Sequence, residues 1–505
     1  MRYRSLPRLL AILAVLAMIA AACSSDVSSE ALPANAAAQT DPEAVDDEPS
    51  PPTTAPSTTT TSTTSAAPTT TTLGRSQFAG TTIKIVVKEN PTLDLIAAIT
   101  DEFFTERTGI EVEFITLQGL FLRDIVFDVG GVGEEGFSAV MIDPFEAPQF
   151  GAYGWLADLH FFTDDASYDL NGFIPSLVDA NRVRGFDELA AVPFYAESSI
   201  IMYNQQIMAE TGIDFPANPT WQEVADIARQ VDDGDITGIC LRGLSGWDEL
   251  GAALTTVVNT FGGTWWEANN DGTPGDAQIN QADSGFRAAA EFYLDLAIDA
   301  GPNNFAETGF NECLEQFQNG TAAIWYDTTE APPLLEAADS PIAGNVGYAR
   351  APIAETDQSG ALWTWGLATL TTALEADASW EFIRWATSPD IVRLMAEHAP
   401  GGWSDPAVIG AATRSSHFDI PEFREATEPY GDIVFAELTA ADPNNPSTKP
   451  RPGTSGIQYV GIPEFQNIGT SCTIEFSDAV TGTISIDEAL DNCQAIAQGV
   501  AVADR

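Results

Sequence analysis

The sequence predicts an α/β protein whose folded part is divided into two lobes. An apolar, strand-like run at Ile83–Val87 is followed by a helical pattern over Leu93–Arg107 and by a second strand-like run at Ile110–Ile115. This strand–helix–strand order is typical of a parallel sheet with helices packed on its faces. The chain has 505 residues. Roughly 430 remain after the low-complexity start, which is more than one hydrophobic core usually holds.

Further strands are predicted where short apolar runs are bounded by polar or turn residues. Asn90-Pro91 ends the first strand, and Thr108-Gly109 ends the helix that follows it. Short apolar runs of this kind are typical of buried strands. The later runs with the same character are Ser138–Ile142, Ala190–Pro193, Ile200–Tyr203 and Ala322–Tyr326.

Helices are predicted to dominate the second half of the chain. Thr220–Glu223 and Ser485–Glu488 both fit the capping box that begins a helix. Within Phe310–Phe317, the apolar residues recur at the spacing of one helix face, and Asn319-Gly320 ends that helix.

The first 23 residues predict an export signal that ends in a lipid-modified cysteine. Three arginines precede an apolar run over Leu9–Ala22, and Cys23 follows directly. This arrangement resembles the lipobox of bacterial lipoproteins, whose cysteine receives lipid and becomes the new N-terminus. An ordinary signal peptide with a chance cysteine is the alternative. We expect Cys23 to be lipidated and the protein to be anchored to the outer face of the bacterial cytoplasmic membrane.

Residues 24–78 predict a disordered tether between the anchor and the folded body, residues 79–505. A run rich in Thr, Ser, Pro and Ala extends from Pro51 to Thr72. Such a segment has too few apolar side chains to repay the entropy of folding. Its composition resembles a stalk, and whether the stalk carries glycans stays open.

The formal net charge of −52 excludes several classes of partner. The chain has 73 acidic residues against 21 basic ones. Such a surface repels nucleic acid, anionic lipid headgroups and polyanionic ligands. Adaptation to high salt, which screens self-repulsion, and a base-composition bias toward arginine both explain the excess, and the sequence leaves that choice open.

Four cysteines remain beyond Cys23 and predict two disulfides, as expected for an exported chain. Four cysteines allow three pairings, of which we favour Cys240–Cys313 with Cys472–Cys493. The histidines are scattered, and no CxxC or HxxxH spacing occurs, which argues against structural zinc. The acidic loops Asp232–Asp235 and Asn269–Gly272 do not complete a calcium-binding pattern and are interpreted as solvated turns. No cofactor or metal is predicted.

Tryptophans beside carboxylates indicate a site for a hydroxylated ligand. The chain has 11 tryptophans. Trp247 precedes two acidic residues, and Trp363 and Trp365 would point to the same side of a strand. Sugars and sugar alcohols present apolar C–H faces and a rim of hydroxyls, which aromatic faces and charged, multi-dentate groups can bind. For any single tryptophan, a place in the core is the alternative.

An enzyme interpretation has less support. Paired carboxylates beside aromatic side chains also fit glycosidases, but with 73 acidic residues such pairs arise by chance. The sequence lacks a G-x-S-x-G elbow, and its three histidines suggest no Ser/His/Asp arrangement. The glycine-rich Gly130–Gly133 lacks the lysine that follows in a phosphate-binding loop and is interpreted as a plain loop.

Five stretches of the sequence together resemble one protein family. They are Pro193–Ser199, Leu241–Trp247, Gly309–Asp327, Trp363–Trp365 and Gln458–Phe465. Across the folded body, the chain is similar to the extracellular solute-binding proteins of sugar ABC importers, the maltose-binding-protein-like family. In detail it is most similar to the sorbitol- and mannitol-binding branch.

The resemblance implies a two-lobed, periplasmic-binding-protein-like fold with three hinge crossings and a ligand cleft between the lobes. The crossings are expected near Pro193–Ala196, Ala351–Pro352 and Pro400–Asp405. Lobe 1 would comprise about residues 79–194 and 352–402, and lobe 2 about residues 195–351 and 403–505. The lobes would close over the ligand by hinge bending, without covalent chemistry.

The resemblance also implies a set of ligand-binding residues. Glu197 lies where the family places a carboxylate on the first crossing, and Arg242 and Asp327 lie at polar contacts of the second lobe. The other candidates, which are aromatic stacking surfaces and polar groups expected beside the cleft, are Trp247, Trp363, Trp365, Asn90, Glu146 and Tyr459. The third crossing, Pro400–Asp405, departs from the sequence pattern of the polyol branch. Its Trp403 would add a stacking face beside the cleft and alter the size of the ligand.

These observations predict a lipid-anchored substrate-binding protein that delivers a sugar or sugar alcohol to the permease subunits of an ABC importer. We expect a monomer that binds no nucleic acid. The alternatives are an oligosaccharide-binding member of the same class, a secreted glycosidase, and a surface receptor or adhesin without a transport role.

Overall fold

A computed structural model describes residues 77–117, 136–164, 168–183 and 188–503. The predicted signal segment, Cys23, nearly all of the tether and the loop Gly130–Gly133 lie outside these ranges. The strands within them are β1 Thr82–Lys88, β2 Glu111–Leu117, β3 Ala139–Ile142, β4 Val192–Glu197, β5 Ser199–Asn204, β6 Thr237–Cys240, β7 Trp266–Ala268, β8 Pro274–Ala277, β9 Ala322–Thr328, β10 Val346–Ala349 and β11 Trp363–Thr369.

Helices cover both sheets and outnumber the strands in the second half of the chain. In order they are α1 Pro91–Thr100, α2 Ala147–Ala152, α3 His160–Thr163, α4 Pro175–Ala180, α5 Gln205–Thr211, α6 Trp221–Val231, α7 Leu250–Thr260, α8 Gly285–Ala300, α9 Phe310–Gln318, α10 Ala331–Leu335, α11 Ala376–Ala386, α12 Ile391–His398, α13 Pro406–Gly410, α14 Pro421–Ala426, α15 Gly431–Ala440, α16 Phe465–Val480 and α17 Ile486–Ala503. Among the residues described, no helix is both long enough and apolar enough to span a membrane.

The first lobe is built around a five-stranded sheet with the order β2-β1-β3-β11-β4. β1 runs parallel to β2 and β3, whereas β11 is antiparallel to its neighbours. The predicted strand–helix–strand unit is confirmed: α1 continues through a π-helical turn and ends at Gly109, whose φ of 75° suits a residue without a side chain.

The second lobe is built around a four-stranded sheet with the order β10-β5-β9-β6. β6 is parallel to β9, and the other pairs are antiparallel. The predicted capping box at the start of α6 is confirmed, because Thr220 Oγ1 accepts from Glu223 N and the Glu223 carboxylate accepts from Thr220 N.

The first passage between the lobes is a single residue. β4 of the first sheet ends at Glu197 and β5 of the second sheet begins at Ser199, so the chain changes lobe across Ser198. The second passage is the segment between β10 and β11. It is bonded to the first, because Ser198 Oγ donates to Ala361 O at 2.6 Å and Ala361 N donates to Ser199 Oγ at 2.9 Å.

The segment that follows Trp403 packs on the first lobe, although it was predicted to belong to the second. Residues 403–505 were assigned to the second lobe, but Ala407, Val408 and Phe423 belong to the core around the first sheet. The reason is local: α13 packs on α1, and Thr92 Oγ1 donates to Ala407 O at 2.9 Å. The chain reaches the second sheet at α15, where Tyr430 and Val434 share a buried cluster with Ile200 and Trp325, and it joins the core on the other face of that sheet near Tyr459.

Both disulfides that the sequence analysis favoured are present in the structure. Cys240–Cys313 joins the end of β6 to α9, and Cys472–Cys493 joins α16 to α17. Both belong to the second lobe. Because the two disulfides cross-link the unfolded chain and lower its conformational entropy, they favour the folded state of that lobe.

Candidate ligand-binding site

The candidate site is a cavity of about 470 Å³ where the ends of strands from both sheets meet. Such a volume is within the usual range of small-molecule sites. From the first lobe, it is lined by the ends of β1 and β4 and the start of β11; from the second lobe, by the end of β9 and the start of α7. Five carboxylates and two basic groups face it: Glu197, Asp248, Glu249, Asp327, Glu330, Lys88 and Arg242.

Two tryptophans form the apolar wall of the cavity. Trp363 and Trp365 occupy alternate positions of β11, so both side chains point to the same face of the sheet. Their ring centroids are 6.1 Å apart and the rings meet edge to face. Lys88 Nζ lies 4.6 Å from the centroid of the Trp365 ring, a cation–π contact that holds the ammonium against the wall.

The opposite wall is a network of ion pairs around one guanidinium group. Arg242 Nη2 lies 2.7 Å from Asp327 Oδ1, its Nε donates to both Asp327 oxygens, and its Nη1 lies 3.1 Å from Glu249 Oε2. Asp327 also accepts hydrogen bonds from Trp325 Nε1 and from the backbone N–H of Thr328. Burial, the largest single influence, lowers the pKa of Arg242, but the charge and hydrogen bonds of Asp327 together with the charge of Glu249 outweigh it, and the pKa is raised overall. Arg242 therefore stays charged.

Glu197 has the most perturbed carboxyl group in the cavity. Burial between the two lobes and, second to it, the negative charge of Glu330 raise its pKa to about 8, although Lys88 and Arg242 act in the opposite direction. The Glu197 side chain is half-buried, since protein surrounds the cleft but water can still enter it. Burial also raises the pKa of Glu330. Near neutral pH, Glu197 therefore carries a proton and can donate a hydrogen bond.

Neutral polar groups complete the cavity near the two lobe passages. Ser199 Oγ lies 3.0 Å from Tyr326 Oη. Gln458 Oε1 accepts from Leu362 N at 3.1 Å, which fixes the orientation of its amide and leaves the NH₂ group for a ligand. The hydroxyl groups of Ser199 and Tyr326 can donate or accept a hydrogen bond, and the NH₂ group of Gln458 can donate one, as a hydroxylated ligand requires.

Five of the ten predicted ligand-binding residues line this cavity, namely Glu197, Arg242, Asp327, Trp363 and Trp365. The other five do not. Asn90 caps α1, because its Oδ1 accepts from Leu93 N at 2.8 Å. Trp403 packs on the first-lobe core, and the Arg393 guanidinium lies 5.9 Å from its ring centroid.

The remaining three predicted residues are buried and do not line the cavity. Trp247 is 5% exposed, and its ring centroid lies 6.2 Å from that of Trp363. Tyr459 is fully buried, and its ring meets Trp363 edge to face at 6.0 Å. Glu146 accepts from Gln466 Nε2 at 3.4 Å. Trp247 and Tyr459 therefore support the tryptophan wall without lining the cavity.

Sequence reasoning missed Lys88, Glu249, Glu330 and Gln458. Lys88 ends a strand that was predicted, and Glu330 follows two residues after another, so a search for polar residues at strand ends would have found both. Glu249 lies two residues beyond Trp247, which had been singled out. Nothing in the pattern around Gln458 distinguishes it from its neighbours. Among the described residues, no group of three or more His, Cys, Asp or Glu side chains is arranged to hold a metal ion.

Comparison with known proteins gives consistent matches. The profile of the bacterial extracellular solute-binding proteins matches residues 88–392. The chain is 32% identical over 418 residues to the mannitol-binding protein of Pseudomonas aeruginosa, a match that covers 82% of this chain and 91% of that protein.

Solved structures show the same likeness. A solute-binding protein of an ABC transporter from Agrobacterium vitis, with bound D-mannitol, is 33% identical with a TM-score of 0.73, over 84% of this chain and 99% of that one. One from Agrobacterium radiobacter in complex with ribitol is 21% identical with a TM-score of 0.68, over 84% of this chain and 99% of that one. At that identity the second likeness shows the fold alone.

Proposed function

The chain belongs to the bacterial extracellular solute-binding proteins, and we propose that it captures a linear sugar alcohol of the mannitol type and delivers it to the permease of an ABC importer. The class of the protein, a sugar- or polyol-binding component of an ABC transporter, follows from the family and from the mannitol-binding relatives. These relatives are binding proteins and not enzymes, so the glycosidase alternative has no support from them. Members of this family bind their solutes outside the cytoplasm.

The observation that carries the ligand proposal is the composition of the cavity. Trp363 and Trp365 supply flat apolar faces for the C–H groups of a carbon chain. Around them, both donors and acceptors are available for hydroxyl groups. A protonated Glu197 and the amide of Gln458 can donate, whereas Glu330 can accept. A polyol hydroxyl both donates and accepts, and this cavity offers partners for both.

The charges of the cavity argue for a neutral ligand over an anionic one. Arg242 is already bound by Asp327 and Glu249, and Lys88 is held over Trp365. A sugar acid or sugar phosphate would have to compete with carboxylates that are already in place. A neutral polyol leaves these ion pairs intact.

Ligand capture is proposed to draw the two lobes together. Trp365 and Lys88 belong to the first sheet, whereas Arg242 and Asp327 belong to the second. A ligand that contacts both sets favours the closed arrangement by its differential affinity. Ser198 and the segment between β10 and β11, which is bonded to it at Ala361, are where the backbone would bend.

We further propose that lipid on Cys23 anchors the protein, and that the Thr- and Ser-rich tether lets the body reach the permease. The proposal rests on the run of three alanines before Cys23 and on the composition of residues 24–78. In the native host, Cys23→Ala should release the protein from the membrane into the medium. Mass spectrometry of the wild-type N-terminal peptide should show an added diacylglycerol.

The test of the ligand proposal is a panel of neutral ligands on the chain without its signal segment. D-mannitol, D-sorbitol, ribitol and maltose would be compared by calorimetry and by thermal unfolding. A true ligand at a hundredfold excess over its Kd should add about 2.7 kcal/mol to the free energy of unfolding. Binding of maltose without binding of any polyol would replace the proposal by the oligosaccharide alternative. A panel without any binder would refute it.

A further inference from the structure

A turn of the first lobe is inserted into the aromatic core of the second lobe. Phe145 follows strand β3 of the first sheet, yet its ring is 2% exposed and packs among second-lobe residues. Its centroid lies 5.1 Å from that of Trp247 and 5.3 Å from that of Tyr459. Ala147, two residues later, is back in the first-lobe core. Phe145 is therefore an apolar bridge between the lobes.

Hydrogen bonds hold this turn in shape and attach it to the second lobe. Asp143 Oδ1 accepts from the backbone N–H groups of Phe145 at 2.9 Å and of Glu146 at 3.0 Å. Tyr459 Oη then donates to Pro144 O at 2.7 Å, and this bond is buried. We call the turn Asp143–Glu146 together with Tyr459 the interlobe clip.

The clip lies directly behind the wall of the ligand cavity. Trp247 and Tyr459, the two rings that Phe145 touches, are also rings that pack against Trp363. Trp363 lines the cavity. Movement of Phe145 out of the second lobe would remove the support of the rings that hold Trp363 in place, and it would expose apolar surface to water.

We propose that Phe145 is a positioning residue that holds the two lobes together behind Trp363 and so slows the release of ligand. Opening the cleft requires its ring to leave the second-lobe core and the hydrogen bond to Pro144 to break. The clip does not line the cavity, so it acts on the balance between open and closed lobes. Its effect on affinity therefore belongs mainly to the dissociation rate. The binding part of this inference rests on the proposed function.

The experiment compares Phe145→Leu and Tyr459→Phe with a matched control, Phe150→Leu. Tyr459→Phe removes one hydroxyl and keeps the ring, so folding is preserved. Phe150 is a buried phenylalanine of α2 that packs within the first lobe. Small-angle scattering of the ligand-free proteins measures lobe separation, and stopped-flow fluorescence measures D-mannitol binding. Both clip variants should be more expanded than wild type and release D-mannitol about tenfold faster, with association rates within about twofold. Phe150→Leu should match wild type.

The scattering does not depend on any ligand, so it separates two kinds of failure. If D-mannitol fails to bind even to wild type, the proposed function is refuted, and the lobe separation alone decides the role of the clip. Wild-type scattering and wild-type dissociation rates in both clip variants would overturn the inference. Equal changes in Phe145→Leu and Phe150→Leu would also overturn it, because a general loss of packing would then explain both.

Discussion

On the second-lobe wall of the cleft, Arg242 is already paired with Asp327 and Glu249, whereas on the first-lobe wall the carboxyl group of Glu197 is still available to a ligand. Asp327 and Glu249 hold Arg242 on one side, and the neighbouring Cys240–Cys313 disulfide ties β6 to α9. On the other side, burial and the charge of Glu330 raise the pKa of Glu197 to about 8, which favours a protonated carboxyl group near neutral pH. The second-lobe wall is therefore preorganised and sets the orientation of a ligand. The first-lobe wall is adjustable, because Glu197 can change its protonation and its hydrogen bonds when a ligand binds.

The largest effect is expected from removing Asp327, which lies at the centre of the preorganised wall. Asp327→Ala leaves the Arg242 guanidinium with one partner in a buried site, and it should lower the free energy of unfolding by about 4 kcal/mol. Chemical denaturation measures the change. Asp299→Asn is the control, because its ion pair with Arg229 is solvent-exposed and should cost less than about 1 kcal/mol. Equal losses in both variants would show that the Arg242 network is not preorganised by burial.

The disulfides offer the next largest effect. Replacing Cys240 and Cys313 by serine opens a loop with a sequence separation of 73 residues, and should lower the free energy of unfolding by about 3 kcal/mol. Ligand affinity should fall as well, because Arg242 lies two residues from Cys240. The matched pair is Cys472 with Cys493, which lies away from the cavity and should affect stability alone. Unchanged affinity in the first pair would show that the disulfide does not brace the cleft.

On the adjustable wall, the test is a comparison of two tryptophans. Trp365→Ala removes one aromatic face of the cavity and should weaken D-mannitol binding by about 2 kcal/mol, or about thirtyfold in Kd. Trp403→Ala is the control, since Trp403 does not line the cavity. Calorimetry measures both. If Trp403→Ala weakens binding equally, the stacking face that the sequence predicted at Trp403, where the third crossing departs from the polyol branch, is correct and this account of the wall is not.

The smallest effect expected is a pH dependence from Glu197. Its folded-state pKa of about 8 lies above the usual value of 4.5, so between these values the folded state binds more protons than the unfolded state. Stability should therefore fall as pH rises through that window, by about 1 kcal/mol in total once solvent screening is allowed for. Unfolding of wild type and Glu197→Gln at pH 5 and pH 8 measures it. The same pH slope in both proteins would assign the effect to another group.

Local features of the backbone could be predicted from the sequence, whereas long-range contacts around the site could not. The strand β1, the end of α1 at Gly109 and the capping box at Thr220 were all predicted, because each depends on residues within one or two turns of chain. The role of Tyr459 was not, although the residue itself was singled out. Its hydroxyl bonds Pro144, 315 residues away, and local pattern carries no information about such a partner.

Sequence alone determined the α/β class, a length that suits two lobes, and the supply of cysteines, tryptophans and carboxylates, since composition and local periodicity express these directly. Tertiary structure decided which of these side chains face one cavity. It placed Lys88 and Glu330 beside Glu197, and it set Trp247 and Tyr459 behind Trp363. The physical reason is that the site lies where two sheets meet, so its composition depends on contacts between segments that are hundreds of residues apart.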